Sequence, residues 1–299
     1  MVIERAPMVH SRLKDAVALL SLLVRPAKTR ARVVYELLST RNTLAEHSLY
    51  LNLGYWVEAT TYDGACQELA DLLAQAAGLG AGDEVLDVGF GFADADLFWM
   101  ERYAPARIVG LNITPMQVQV ARRRVAERGW QDRIDLQEGS ATRMSFAEAH
   151  FDKVMALECC FHFDTREDFF REAFRVLRPG GRLAVADVLP LPVTNKSPLV
   201  RLGEYLGRAF WQIPAVNLYP KEDYLVKLAT AGFENVRVRS IREQVFEPFA
   251  RYARGRLQEP EIKQRMHPLV RAFWGSSVRD AGAFDTVDYI IATGDKGRR

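Results

Sequence analysis

The run Glu84-Val85-Leu86-Asp87-Val88-Gly89-Phe90-Gly91-Phe92-Ala93-Asp94 decides how the rest of the chain is read. An apolar strand enters a turn in which Gly89 and Gly91 let the backbone approach a ligand that a side chain would obstruct. A helix follows, and its unpaired N–H groups favour an anionic or polar ligand group. Outward from this unit, strand-like runs recur at Arg107–Leu111, Ile134–Gln137, Lys153–Leu157 and Arg182–Ala186. Helical patterns at 94–103 and 114–128 and a shorter irregular link at 141–150 separate the first four. Strands alternating with helices predict an α/β fold with a parallel sheet. A helix over 62–78 precedes the unit and ends before Gly80-Ala81-Gly82. Another over 165–177 is stopped by Pro179-Gly180-Gly181. Further strands are predicted at Val236–Ser240 and Val287–Ala292.

Residues 10–38 read as two helices broken at Pro26, with Leu13, Val17, Leu20 and Val24 at helical spacing. Arg25, Lys28, Arg30 and Arg32 cluster at the break. They form a solvated face, or a docking patch for a membrane surface or an acidic carrier; both readings stay open. The apolar run Ala16–Val24 is too short to span a bilayer and lacks a cleavage site. The predicted division is an N-terminal helical cap over 1–60 and one catalytic-type domain over 61–299. Residues 190–219 and 245–282, rich in aromatics, break the alternation and are predicted as lid insertions. The first follows a late strand, where an insert can roof the crevice beyond the strands' carboxyl ends.

The 299 residues carry a net charge of only +2, and no RNA-binding appendage is recognisable, which counts against a nucleic-acid partner. Cysteines are three, and Cys159 and Cys160 are adjacent, which argues against a disulfide framework and for a reducing, cytoplasmic setting. No Cys and His lie at ligand spacing, so no metal is expected.

The pocket chemistry is carried by the strand ends. Asp87 suits a cationic group, such as the ammonium of a methionine moiety, better than a pyrophosphate. Asp94 stands where the dinucleotide fingerprint Gly-x-Gly-x-x-Gly needs a third glycine. Both features favour S-adenosylmethionine (SAM) over a nicotinamide dinucleotide. Asn112, ending the second strand, is placed to bind ribose hydroxyls. Thr114 and Pro115 start the next helix, and Gln117 either faces the crevice from its first turn or is exposed. Glu138-Gly139-Ser140-Ala141-Thr142 forms a small-residue turn able to admit a flat adenine. The fourth strand delivers Glu158 and His162 to the crevice end. His162 is either a satisfied core residue or a base, and histidine is the side chain best placed to accept a proton near neutrality. Cys159 and Cys160 are read as small apolar fillers.

Together, Val85–Ala93, Gly110–Pro115, Glu138–Thr142, Phe151–His162 and Leu177–Leu183 resemble the class I SAM-dependent methyltransferases. Within them the chain is similar to the small-molecule branch of macrolide sugar O-methyltransferases of the erythromycin 3''-O-methyltransferase type. Tocopherol, sterol and cyclopropane-synthase-like enzymes are more distant. The likeness includes Leu51-Asn52-Leu53-Gly54-Tyr55-Trp56, Gly232-Phe233 and Asp288-Tyr289-Ile290-Ile291-Ala292, and so extends from about residue 33 onward. Ala93 and Asn112 depart from the branch's common glycine and acid.

The resemblance implies a Rossmann-like sheet of seven strands, mostly parallel with the last antiparallel, and helices on both faces. It implies SAM as cofactor, S-adenosylhomocysteine as product, and SAM contacts from Asp87, Gly89, Gly91, Asn112, Ile113, Gln117, Ser140 and Ala141, with Tyr55 and Trp56 above. His162 is expected as base and Glu158 as its orienter or a substrate holder. Phe161, Phe210, Trp211 and Tyr219 are expected on the substrate side, with Leu199, Leu202, Leu206 and Ile213 also available to an apolar pocket. The expected reaction is in-line methyl transfer to a hydroxyl of a hydrophobic polyketide, glycosylated natural product or lipid-like acceptor. C-methylation of an alkene, carboxyl methylation, and a SAM-binding regulatory protein without turnover are the alternatives. Peripheral membrane contact and homo-oligomerisation stay open.

Overall fold

A computed structural model describes residues 42–192, 213–279 and 284–298. The predicted helices of 10–38, the basic cluster at 25–32, and most of the insertion at 190–219, including Phe210 and Trp211, lie outside the described residues.

The elements are α1 (Tyr62–Ala77), β1 (Glu84–Val88), α2 (Asp94–Tyr103), β2 (Arg107–Asn112), α3 (Pro115–Glu127), β3 (Ile134–Glu138), β4 (Phe151–Leu157), α4 (Arg166–Val176), β5 (Leu177–Pro190), α5 (Lys221–Thr230), β6 (Glu234–Ser240), α6 (Arg242–Arg256), α7 (Pro260–Arg265), α8 (Pro268–Ser277) and β7 (Val287–Asp295). Seven strands form one sheet in the order β3-β2-β1-β4-β5-β7-β6. β1 pairs parallel with β2 and β4, β2 with β3, and β4 with β5, while β7 runs antiparallel between β5 and β6.

Alternate residues of each strand supply opposite faces, as a period of two requires. Val85, Met155, Ala184, Ala186, Tyr289 and Ile291 join a core with α1, α2, α3, α6 and α8. Leu86, Val88, Val154, Ala156, Leu183, Val185, Ile290 and Ala292 join a second core with α4 and α5. Helices therefore cover both faces, and strands buried on both sides read as continuous apolar runs.

Several boundaries differ from the sequence expectation. α1 ends at Ala77 because Gly78 takes the left-handed conformation and caps it, two residues before the Gly80-Ala81-Gly82 turn. β5 begins at Leu177, and its register shifts across the Pro179-Gly180-Gly181 segment. It runs on to Pro190 because β7 pairs with it as far as Val287. Thr114 holds the N-cap position of α3 but makes no side-chain capping bond; its own N–H donates to Asn112 Oδ1 at 3.0 Å. Residues 245–282, expected as a lid, supply α7, α8 and most of α6, which extend the first core through Phe246, Phe249, Ile262 and Val270.

Candidate active site

β1–β4 end side by side at Val88, Asn112, Glu138 and Leu157. Strand order reverses between β1 and β4, the place where open α/β sheets bind ligands. A cavity of about 330 Å³ lies there. Its walls come from 89–92 and Asp94, from Asn112, Ile113, Thr114 and Gln117, from 139–142, and from Glu158, Cys159, His162 and Phe163. Leu49, Tyr50, Leu51 and Asn52 close it from above.

That roof belongs to a strap, residues 42–56, tied down by polar groups. The Asp63 carboxylate on α1 accepts the N–H groups of Glu46, His47 and Ser48 at 3.3, 2.6 and 3.3 Å and the Ser48 hydroxyl at 2.7 Å. Leu49 N–H donates to Asp94 at 3.2 Å, and Arg124 holds both oxygens of Asp94 at 2.6 and 2.7 Å. Leu53 N–H donates to Glu158 Oε2 at 2.8 Å.

The two glycines serve different purposes. A Cβ on Gly89, whose φ is +77°, would meet Cys159 Cβ and Sγ at 2.7 Å, so this glycine lets β4's end close on the turn. A Cβ on Gly91 meets nothing within 4 Å. Cys159 also donates its thiol to the Val88 carbonyl at 3.0 Å.

Asp87, only 1% exposed, lies in the cavity wall with Oδ1 lacking any hydrogen-bond partner among the described residues. Its carboxyl is raised well above the usual range, by burial first and by the neighbouring Asp96 second. A buried acid orphaned in a cavity fits a ligand that brings positive charge. Asn112 is buried, donating Nδ2 to Gln117 Oε1 at 2.9 Å and to the Gly91 carbonyl at 3.4 Å. Gln117 is thus buried in the cavity wall. Ile113 is 68% exposed at the rim, and Ser140 shares a 3.0 Å hydrogen bond with Thr142.

Glu158 adopts φ +53° at the end of β4. Its Oε2 accepts the Tyr289 hydroxyl at 2.6 Å as well as Leu53 N–H. Burial outweighs these donors and pushes its carboxyl up to about 7. His162 sits in a single 3-10 turn, its ring 4.1 Å from that of Phe161.

The structure thus brings Asp87, Gly89, Gly91, Asn112, Ile113, Gln117, Ser140, Ala141, Glu158 and His162 around one cavity. It does not bring Tyr55, Trp56, Phe161 or Tyr219 there. Trp56 turns outward onto Tyr252, ring centroids 4.9 Å apart, with its indole N–H on the Leu53 carbonyl. The strap touches the cavity three to seven residues earlier, because Gly54 is pressed against Ala65 of α1 and turns the chain away. Tyr219 packs against the buried Arg166 guanidinium at 5.2 Å. The described part of that predicted lid, residues 245–279, contributes nothing to the cavity lining. Sequence reasoning gave no site role to Tyr50, Asn52, Asp94 or Tyr289. Asp94 was noted only as a missing glycine, and Asn52 and Tyr289 lie inside the quoted runs Leu51–Trp56 and Asp288–Ala292. Among the described residues no three His, Cys, Asp or Glu groups could share a metal ion, and no helix is long and apolar enough to cross a membrane.

Comparison with known proteins follows the same lines. A family model described as a methyltransferase domain matches residues 86–185. The erythromycin 3''-O-methyltransferase of Saccharopolyspora erythraea is 40% identical over 281 residues, covering 91% of this chain and 92% of that protein. The 27-O-demethylrifamycin SV methyltransferase of Amycolatopsis mediterranei is 35% identical over 190 residues, 62% of this chain and 66% of that protein. Among solved structures, the [4+2]-cyclase SpnF superposes with a TM-score of 0.71 at 25% identity, covering 89% of this chain and 97% of that one. A seven-stranded sheet with its site at the β1–β4 reversal, an orphaned acid in the cavity and this end-to-end likeness place the chain in the family of SAM-dependent methyltransferases.

Proposed function

We propose that this protein methylates a hydroxyl group of a hydrophobic small-molecule natural product, with His162 as the general base. The observation that carries the reading is the convergence of His162, Glu158 and the orphaned Asp87 on one cavity. The bound cofactor supplies a methyl group already activated on a sulfonium. The chain has then to hold the acceptor oxygen in line with it and remove a proton. Positioning of that kind is worth about 7–11 kcal/mol of barrier, and a placed base contributes roughly 10²–10⁴-fold.

In this reading Asp87 meets the cationic methionine end of SAM. Gly91 leaves room for the cofactor, Asn112 and Gln117 bind the ribose, and Ile113, Ser140 and Ala141 border the adenine. His162 takes the hydroxyl proton. Glu158, ionised at and above about pH 7, orients the acceptor or the imidazole through the oxygen that Tyr289 and Leu53 leave free. Phe163, in the cavity wall beside His162, supplies an apolar surface for the acceptor. The O-methyltransferase names carried by the erythromycin relative and by relatives in Penicillium expansum and Aspergillus sclerotiorum support oxygen as the methylated atom.

The test is a labelled-methyl assay against hydroxylated macrolides and lipids, with products identified by NMR. An O-methyl product from the wild type, and a loss of about 10²-fold or more in His162→Ala with S-adenosylhomocysteine binding intact, is the expected result. A C-methyl or methyl-ester product, or unchanged turnover in His162→Ala, refutes it.

A further inference from the structure

Beside the cavity lies a buried polar cluster that the reaction as described does not use. Asn217, in the single helical turn Ala215–Asn217 near the end of the insertion after β5, is 0% exposed and does not line the cavity. Its Nδ2 donates to the Phe161 carbonyl at 3.2 Å and to the Phe163 carbonyl at 2.7 Å. Its Oδ1 accepts the Arg166 backbone N–H at 3.1 Å, and its own carbonyl accepts Arg166 Nη1.

Those two carbonyls belong to the residues on either side of His162. The turn that carries His162 spans only Cys160–His162. Its own bonds run from His162 N–H to the Cys159 carbonyl and from Phe163 N–H to the Cys160 carbonyl, both at 3.1 Å. The carbonyls of Phe161 and Phe163 are held from outside, by one amide. An amide is the group that fits, with two hydrogens for two acceptors and an oxygen for one donor. A carboxylate would set a third oxygen against two carbonyls, and alanine would take this partner from both. The amide is itself fixed. Arg166, 1% exposed, donates Nε to Asp187 Oδ2 and Nη2 to the Val188 carbonyl, each at 2.8 Å, and both acceptors belong to β5. Support thus runs from the sheet through Arg166 and Asn217 to the backbone around His162.

We infer that Asn217 is a positioning residue for methyl transfer: by clamping the Phe161 and Phe163 carbonyls it fixes where His162 stands in the cavity wall. The inference rests on His162 being the base. In that reading the cofactor meets the ends of β1, β2 and β3, which the clamp does not touch.

A double-mutant cycle tests it, with Asn217→Ala, His162→Ala and the pair, on the hydroxylated macrolide that the wild type methylates fastest. Misplacing a reacting group slightly can cost about 10²-fold, so Asn217→Ala should lower kcat by roughly ten- to a hundredfold. Its affinity for S-adenosylhomocysteine should stay within about twofold of wild type. In the His162→Ala background the same change should alter kcat by less than about twofold, because no base is left to misplace. An equal loss in both backgrounds, no loss in either, or a parallel loss of S-adenosylhomocysteine affinity overturns the inference. A second measurement needs neither an acceptor nor the Ala variant, and so decides the matter if Asn217→Ala fails to fold. In Asn217→Ser, whose one hydroxyl hydrogen can hold at most one carbonyl, the imidazole NMR signals of His162 should move or broaden with S-adenosylhomocysteine bound. Those of His47, His150 and His267 should stay in place, and an unmoved His162 overturns the inference. Unchanged turnover in His162→Ala alone removes the base itself, a failure seen without touching Asn217.

Discussion

Replacing Tyr289 by Phe removes one oxygen from β7, and its effect should be read in the titration of Glu158. Oε2 of Glu158 accepts the Tyr289 hydroxyl at 2.6 Å and Leu53 N–H at 2.8 Å, and both favour the ionised carboxylate. Burial opposes them and leaves the group titrating at about 7. A hydrogen bond to a charged group is worth about 1.5–3 kcal/mol, and ~1.36 kcal/mol moves a pKa by one. The neutral carboxyl keeps about 0.5–1.5 kcal/mol of the same bond. The difference of roughly 1–1.5 kcal/mol means that Tyr289→Phe should carry Glu158 upward by about 1 pH unit.

The folded chain holds this proton more tightly than the unfolded chain does. The stabilisation is complete at low pH and is lost as pH rises through about 7 in the wild type; in the variant the loss continues to higher pH. Near pH 5, with Glu158 neutral in both, the variant should be less stable by only about 0.5–1.5 kcal/mol. Near pH 9 the gap should widen to about 1.5–3 kcal/mol. Urea unfolding at the two pH values measures the stability part, and the pH profile of kcat/KM measures the catalytic part. The limb set by Glu158 should shift alkaline by the same amount, about 1 unit. An unmoved limb together with an equal stability loss at both pH values would refute the reasoning.

Gly89→Ala should destabilise the fold by about 2–5 kcal/mol, the sum of a left-handed backbone penalty and overpacking against Cys159. Adding Cys159→Gly should recover the overpacking share in urea titrations. Arg166→Met strands the fully buried Asp187 carboxylate, whose partner nitrogen Nε lies 2.8 Å away, and should cost about 3–5 kcal/mol by thermal or urea unfolding. Asp187→Asn in the same chain should restore part of it. Asp63→Asn releases a charge that accepts three strap N–H groups. SAM affinity should fall roughly tenfold and proteolysis within 42–56 should accelerate, with little change in Tm.

The sheet was readable because local and global signals agree over Val85–Val88, Ile108–Leu111 and Val154–Leu157. Each is an apolar run bounded by turns, and such runs become strands only when both faces are covered. Cavity residues at strand ends, from Asp87 to His162, were readable for the same reason, since a parallel sheet aligns those ends. What could not be read depends on contacts distant in sequence. Asp96 looks like an ordinary acidic residue in a helix's first turn, and only packing takes it wholly out of water. Tyr289 lies 131 residues from the carboxylate it binds. Tyr55 and Trp56 were placed over the cavity because the strap's path depends on Gly54 meeting Ala65, a tertiary contact with no local signature. The helices of 245–282 carry aromatics as an insertion might, yet those aromatics fill the core beneath β7.

The sheet order has a consequence for how the chain matures. Among the described strands β6 pairs only with β7, which is synthesised about fifty residues later. On the ribosome β6 can therefore pack on α5 but must wait without a paired strand until β7 slides in beside β5. That same strand delivers the hydroxyl for Glu158, and the preceding α6 receives Trp56 N–H at the Gln244 carbonyl. Two supports of the pocket, the Gln244 contact to Trp56 and the Tyr289 hydroxyl on Glu158, are thus added after the Asp63 and Asp94 ties of the strap. A nascent chain that has not yet reached β7 would hold every described residue of the cavity lining, yet Glu158 would lack the Tyr289 hydroxyl.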